Sequence, residues 1–338
     1  MRKLFYYTGV MIAVIIVLPL LIVKGCYYQD EKTPELAQKQ QKSEKILVYD
    51  SVREKTVEMD FEEYIKGVVA AEMPADFDGE ALKAQAVTAR TFAYGRKQHI
   101  YEPKAGTHDG ADICTDPAHD QAWISKEDAM KKWGIFKASR NWSKIEKAVT
   151  ETRGIIITYD NKVVNALFHA NSGGATENSG DVWDGVQVPY LKSVKSYGED
   201  AANDFKVSVI FGINEFVAAL KNKYPESKLT AKNIPGGIKI LGYTEGGRVK
   251  SIKIGDITMK GTELRSLFNL RSANFKIEKA DKDNLKITTL GYGHGVGMSQ
   301  WGANYLAKRG GTFDEIIKYY YSGVDLVNIQ EYGKLSAQ

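Results

Sequence analysis

One carboxylate in this chain stands where a carboxylate is costly. The segment runs Asp60-Phe-Glu-Glu-Tyr-Ile-Lys-Gly-Val-Val-Ala-Ala-Glu-Met-Pro74. Asp60 followed by Glu63 predicts a helix start, with Asp60 capping a free N–H and Glu63 reaching back. Phe61, Ile65, Val68 and Val69 recur at helical spacing and define an apolar face. Glu72 falls on that face, and Met73-Pro74 ends the helix, because a residue before proline avoids the helical region. Burial at a helix end penalises the charged form, so the Glu72 carboxyl should keep its proton unusually high on the pH scale. That is the property of a general acid working near neutrality. The plain alternative is an ion pair with a basic residue such as Arg90 or Lys83.

A second group is a set of metal-ligand types. His108, Cys114, His119 and Asp120 fall within one polar loop, His-Asp-Gly-Ala-Asp-Ile-Cys-Thr-Asp-Pro-Ala-His-Asp. Zinc takes imidazole, thiolate and carboxylate ligands in a tetrahedron, and these residues supply one full set. Asp109, Asp112 and Asp116 are candidates to replace Asp120 or to orient the imidazoles. A bound ion would explain how a loop with so little apolar content stays ordered. A polar surface loop with a chance cysteine is the competing reading, and no CxxC pair is present to settle it.

The third group is two glycine-rich polar loops, Asn165-Ala-Leu-Phe-His-Ala-Asn-Ser-Gly-Gly-Ala-Thr-Glu177 and Gly291-Tyr-Gly-His-Gly-Val-Gly-Met-Ser-Gln-Trp-Gly302. Ser172 lies outside any G-x-S-x-G elbow, which argues against a serine hydrolase. No βαβ unit surrounds the second loop, so a nucleotide fingerprint is a poor fit. Aromatic faces beside amides and hydroxyls suit a sugar. Ser172, Tyr292, His294 and Gln300 are the candidate sugar-binding side chains. Tight turns required by packing are the other explanation of the glycines.

These residues must be held by a folded domain and delivered to the right compartment. Arg2 and Lys3 precede an uncharged run over residues 4–23, long enough to cross a bilayer. No small-residue cleavage site follows, so the run reads as a transmembrane signal-anchor, with residues 1–3 cytoplasmic and everything beyond outside; a cleaved signal peptide and a lipoprotein signal ending at Cys26 are the competing readings. Residues 24–45, rich in Lys, Gln and Glu, form a linker. Residues 46–332 suffice for a substantial core. With two cysteines in the chain, one of them beside the membrane, an exported domain of this size is not disulfide-stapled. A net charge of +4 with scattered basic residues argues against nucleic acid as a partner.

The coarse pattern is α+β, mixing helices with antiparallel hairpins in one external domain. Hairpins are expected at 46–51 with 56–59, and at 154–159 with 163–168 across Asp160-Asn161. Helices are expected from Asp78 to Gly95, at 214–223, 262–269, 298–308 and 313–320. Strands at 205–211, 238–243, 249–254 and 257–259, with 275–278 pairing 286–290, suggest a subdomain over about 205–280. Strands and helices do not alternate strictly, which argues against a doubly wound parallel sheet.

Taken in order, Val69-Ala-Ala-Glu-Met-Pro74, Leu82-Lys-Ala-Gln-Ala-Val-Thr-Ala-Arg-Thr-Phe-Ala93, the loop 108–123, Asn171-Ser-Gly-Gly174 and the second glycine loop resemble the stage II sporulation protein D family. The resemblance implies a membrane-anchored lytic transglycosylase in the mother-cell membrane, facing the septal or intermembrane space. Such an enzyme cuts peptidoglycan glycan strands during engulfment in endospore formation. It also implies two partners: an amidase that removes stem peptides first, and a polytopic membrane protein. The family's essential glutamate matches Glu72, and its structural zinc loop matches His108, Cys114 and His119. Asp120 stands where the family pattern has a second cysteine. One carboxylate is enough for that reaction, because the 6-hydroxyl of muramic acid itself attacks the anomeric carbon, whereas other glycosidases need two. The same domain resembles amidase-enhancer proteins, for which glycan binding or activation of an amidase would be the whole task.

Overall fold

The computed structural model describes residues 44–101, 108, 110–183 and 185–335. The expected anchor at 4–23 and nearly all of the linker lie outside the described residues. Among the described residues no helix is long and apolar enough to cross a membrane. The folded region starts slightly earlier than expected. The Glu44 carbonyl accepts from the Phe61 N–H at 2.8 Å, its side chain pairs with Lys97 at 2.6 Å, and Lys45 opens the first strand.

β1 (Lys45–Asp50) and β2 (Lys55–Asp60) form the first expected hairpin, antiparallel from Lys45 opposite Asp60 to Asp50 opposite Lys55. A short β3 (Ile113–Cys114) joins the free edge of β1 in parallel. The hairpin runs directly into α1 (Phe61–Glu72), whose first N–H groups bond the Asp60 carboxylate at 2.9 and 3.1 Å. Glu63 does not reach back to complete a capping box; it pairs with Lys66 at 2.7 Å. Met73 has extended backbone, as its position before proline requires.

α2 (Gly79–Lys97) is the central helix, packed against α1, the C-terminal helices and β4 (Ile155–Tyr159), and against α4 (Ala138–Glu151), which follows α3 (Lys126–Trp133). A helix buried on almost every side needs small residues, and Ala84, Ala86, Ala89 and Ala93 let its neighbours approach. Its buried Arg90 is matched by a bidentate pair with Glu62, at 2.9 and 2.8 Å, and by the Val149 and Ile155 carbonyls. Breaking such a pair would strand a buried charge at a cost of about 3–5 kcal/mol.

β4 turns into β5 (Lys162–Val163) through Asp160 and Asn161, both at positive φ (48° and 57°), as an Asp-Asn hairpin predicts. The expected return strand to residue 168 is broken after Val163. β6 (Phe168–His169) instead pairs in parallel with residues 298–299. Two sheets are therefore not pure antiparallel hairpins, because residues far apart in sequence supply their edges.

β7 (Lys206–Gly212), α5 (Ile213–Lys223), β8 (Ile238–Tyr243), β9 (Val249–Ile254), β10 (Ile257–Lys260), α6 (Gly261–Leu267), β11 (Phe275–Lys279) and β12 (Asn284–Leu290) follow the expected order. They enclose their own apolar cluster, centred on Phe216, Leu220, Ile252, Ile254, Leu264 and Ile287. β12 pairs with β7 as well as β11, which carries this cluster's boundary to Leu290, past the expected 280. The chain returns to the main core through β13 (Met298–Ser299), α7 (Gln300–Ala307), α8 (Phe313–Tyr320) and β14 (Asp325–Asn328), which pairs with β4, and ends in α9 (Ile329–Leu335).

Gly67, in the middle of α1, marks where the loop after β3 docks. A Cβ there would lie 2.1 Å from Trp123 Nε1 and 2.8 Å from the Ile124 carbonyl. In an open helix Gly→Ala would gain roughly 0.5–1 kcal/mol. Here Gly67→Ala should instead lower stability by about 1–3 kcal/mol, the usual cost of overpacking. Urea denaturation of the purified protein measures the sign, and a stabilised variant would contradict this packing.

Candidate active site

Glu72 is the last residue of α1 and is half-buried. Among the described residues its carboxylate forms no ion pair. Arg90 is committed to Glu62, and Lys83 to Glu80 and Glu151 at 2.8 and 2.7 Å, so neither proposed ion pair forms. Two groups hold it instead. The Ala122 N–H donates to Oε1 at 2.8 Å, and Gln300 Nε2 lies 3.5 Å from Oε2. Burial pushes the Glu72 carboxyl above its ordinary range, against the smaller lowering effect of these donors.

Glu72 borders two clefts. One, of 390 Å³, is walled by His169, Tyr292, His294 and Gln300, with Phe168 and Arg265. The other, of 720 Å³, lies along the loop after α1 and the α3–α4 turn. A carboxyl whose pKa is raised by burial and that borders two clefts has the chemistry of a general acid.

The two glycine loops meet beside the first cleft. Asn171 and Tyr292 exchange backbone hydrogen bonds at 3.1 and 2.7 Å, and β6 pairs with β13 alongside. Tyr292 is 48% exposed and its ring carries the Arg271 guanidinium 4.1 Å from the centroid. His294 packs on Trp183 and His169, at 5.4 and 5.5 Å between ring centres, and its Nδ1 accepts from the Val296 N–H at 3.1 Å. Gln300, at the first turn of α7, touches both Glu72 and Gln85. Tyr292, His294 and Gln300 therefore share the cleft with Glu72.

Ser172 does not. It is fully buried, and its hydroxyl donates to Glu199 Oε1 at 2.5 Å. The Glu199 carboxylate also accepts from Ser172 N–H, Gly174 N–H and the Ser299 hydroxyl, tying one glycine loop to the start of α7. The expectation that Ser172 meets a sugar is corrected: it supports the loop from within. The glycines likewise have internal reasons. At Gly295 (φ +85°) a Cβ would lie 2.2 Å from Arg248 Nη2, and that guanidinium bonds the Ser172 carbonyl at 2.8 Å. Packing, rather than approach to a ligand, accounts for it.

His169, which the sequence offers only for the rejected serine hydrolase reading, lines the first cleft together with Arg265 and Gln121, which were not candidates from sequence. His169 donates from Nδ1 to the Val296 carbonyl at 3.2 Å, and burial drives its pKa well below the ordinary histidine value, so the ring is neutral. A histidine leaving a two-residue strand was the available signal. Arg265 comes from α6, far away in sequence, and left none.

In the segment between α2 and α3, His108, Cys114 and His119 bring one ligand atom each within 4.8 Å of one another. The Cys114 thiol is free and buried. Tyr49 stacks flat on the His108 ring, 3.2 Å between centroids. The buried Nδ1 of His119 has no hydrogen-bond partner among the described residues, which fits a missing electrophile. Asp120 is not part of this group. Its carboxylate is 2.9 Å from Arg96 Nε and accepts from the Cys114 N–H at 2.9 Å. The expected four-ligand set is thus corrected to three, with Asp120 orienting the loop that carries Cys114.

Residues 49–159 match the family described as Stage II sporulation protein, a span that includes Glu72 and the His/Cys group but stops short of both glycine loops. The chain is similar to stage II sporulation protein D of Bacillus subtilis (strain 168), 36% identical over 345 residues with 96% of each chain covered. The same protein of Bacillus amyloliquefaciens is 38% identical over 283 residues, covering 83% of this chain and 78% of that one. An amidase enhancer of Bacillus subtilis (strain 168) is 26% identical over 312 residues, covering 78% of this chain and 40% of its own length. Identity at this level along nearly the whole of both chains is family membership: this chain belongs to the stage II sporulation protein D family.

Proposed function

We propose that this protein is a lytic transglycosylase of peptidoglycan glycan strands, with Glu72 as its single acid and base. The observation that carries the reading is a half-buried carboxyl, without an ion pair among the described residues and raised by burial, at the border of two clefts. Glu72 would give its proton to the glycosidic oxygen as the bond from the anomeric carbon to that oxygen breaks. The 6-hydroxyl of the same muramic residue would then bond to the anomeric carbon. Its proton would return to the Glu72 carboxylate, leaving a 1,6-anhydro end and consuming no water. Tyr292, His294 and Gln300 would hold the sugar at the cleavage point. Of the other carboxylates on the clefts, Asp120 is bound by Arg96 and Asp76 is solvent-exposed, so neither stands as an obvious second catalytic acid. The likeness to an amidase enhancer favours one rival, a non-enzymatic glycan-binding activator of an amidase.

We further propose that residues 4–23 anchor the protein in the mother-cell membrane, with the domain outside the cytoplasm, acting beside an amidase and a polytopic membrane protein on strands cleared of stem peptides. His108, Cys114 and His119 would hold one zinc ion. Its contribution would be structural, ordering the loop whose Ala122 N–H holds Glu72.

Glu72→Gln should reduce cleavage of peptide-free glycan by about 10²–10⁴-fold while leaving glycan binding in place. Asp76→Asn should leave cleavage unchanged, and mass spectrometry of the products should find anhydro-muramic ends. Hydrolysed reducing ends, or a fully active Gln variant, would overturn the assignment. Stability supplies an independent check. A carboxyl whose folded pKa is raised binds its proton more tightly in the native state. Its cost to the fold is therefore absent below the unfolded pKa and complete above the folded one. Glu72→Gln should then be more stable than the parent at neutral pH, with the gain vanishing as pH falls through the ordinary carboxylate range.

Protein purified without added metal should contain about one equivalent of zinc, and Cys114→Ser should lower both that content and the melting temperature. Elemental analysis with thermal denaturation tests this. A metal-free parent with the same melting temperature as the chelator-treated protein would contradict it.

A further inference from the structure

The 720 Å³ cleft on the second side of Glu72 has a character that general acid catalysis does not require. Lys132, Lys137, Arg140 and Lys144 stand along it, opposite two carboxylates, Glu72 itself and Asp76. Lys144 is partly buried and donates to the Phe77 carbonyl. Lys132, Lys137 and Arg140 are exposed, and none forms an ion pair among the described residues. Their neighbours on the same two helices behave differently. Lys131 pairs with Asp128 at 3.2 Å, Lys147 with Glu151 at 3.7 Å, and Glu146 with Lys66 at 3.0 Å. Unpaired cations lining a cleft raise its local positive potential and gather anions there.

The same wall offers apolar surface. α3 ends at Gly134, whose φ of 71° turns the chain sharply, and the following residues carry Phe136 at 94% exposure. Trp133, half-buried, lines the cleft with it. An aromatic wall beside unpaired cations is complementary to a sugar that bears an acidic substituent.

We propose that Lys132, Lys137 and Arg140 form an anionic subsite that takes the free lactyl carboxylate of a muramic residue adjoining the bond at Glu72. This rests on the glycan reading above and deepens it. The subsite would favour strands whose lactyl groups are unsubstituted acids, because an amide at that position has no charge for the cations to meet. The specificity would lie in the α3–α4 turn, while the chemistry stays at the end of α1.

The test uses the full-length protein in detergent, with Glu72→Gln as the background so that strands are not consumed. The background is compared with Lys132→Gln/Lys137→Gln/Arg140→Gln added to it. The two probes are peptide-free glycan strands and the same strands with their carboxylates converted to methylamides. Exposed cations each contribute a few-fold at most, so the triple substitution should weaken binding of the native strands about tenfold and flatten its salt dependence. The methylamide strands should bind the background and the triple variant alike. Circular dichroism confirms that these surface changes leave the fold intact. Equal affinity of the background and the triple variant for native strands, with the same salt dependence, would overturn the subsite and leave the glycan reading standing. Failure of the background to bind either strand would overturn the glycan reading, and the subsite with it.

Discussion

Holding the Glu72 carboxyl at the end of a packed helix, with no ion-pair partner among the described residues, constrains much of what surrounds it. A guanidinium or ammonium paired with it would favour the charged form and oppose the effect of burial. Three cations of the surrounding core are committed elsewhere: Arg90 to Glu62, Lys83 to Glu80 and Glu151, Arg96 to Asp120. What remains to hold the carboxyl is one backbone N–H and one amide, from Ala122 and Gln300. Both orient without supplying a full charge.

Those two donors come from segments separated by most of the chain, and each is supported from behind. Ala122 belongs to the stretch that leaves the His/Cys group and docks Trp123 into the space left open by Gly67. Gln300 starts α7 after Ser299, whose hydroxyl is gathered with Ser172 by the buried Glu199. Arg248 reaches from the second apolar cluster under Gly295 to bond the Ser172 carbonyl and to pair with Glu177 at 3.4 Å. The second cluster thus buttresses the cleft through Arg248 and contributes Arg265 to its wall. It is part of the site's machinery as much as an appendage to it.

Asymmetry across Glu72 follows from this construction. On one side the glycine loops present Tyr292, His294 and a neutral His169, groups that suit hydroxyls and amides. On the other the α3–α4 turn presents cations and exposed aromatics. A polymer lying across both would meet different chemistry on the two sides of the same carboxyl.

Features that depend on neighbours in sequence were legible from sequence. The Asp60 cap, the helix ending before Pro74, the Asp160-Asn161 turn and the strands of the second cluster follow from local backbone preferences and periodicity, and the structure places them within a residue or two. Glu72 stood out because an acid on an apolar helix face contradicts its surroundings. Roles that depend on contacts across the chain were not legible. The sequence offers Ser172 and Asp120 as polar residues in polar loops. Only the tertiary structure turns Ser172 inward to Glu199 and Asp120 toward Arg96, because each found a buried partner that no spacing announces. The same holds for the parallel pairing of β6 with β13 and for Arg265 in the cleft. Local pattern dictates where a helix begins and which face is apolar. Which charge meets which is decided when distant segments compete for the same buried space.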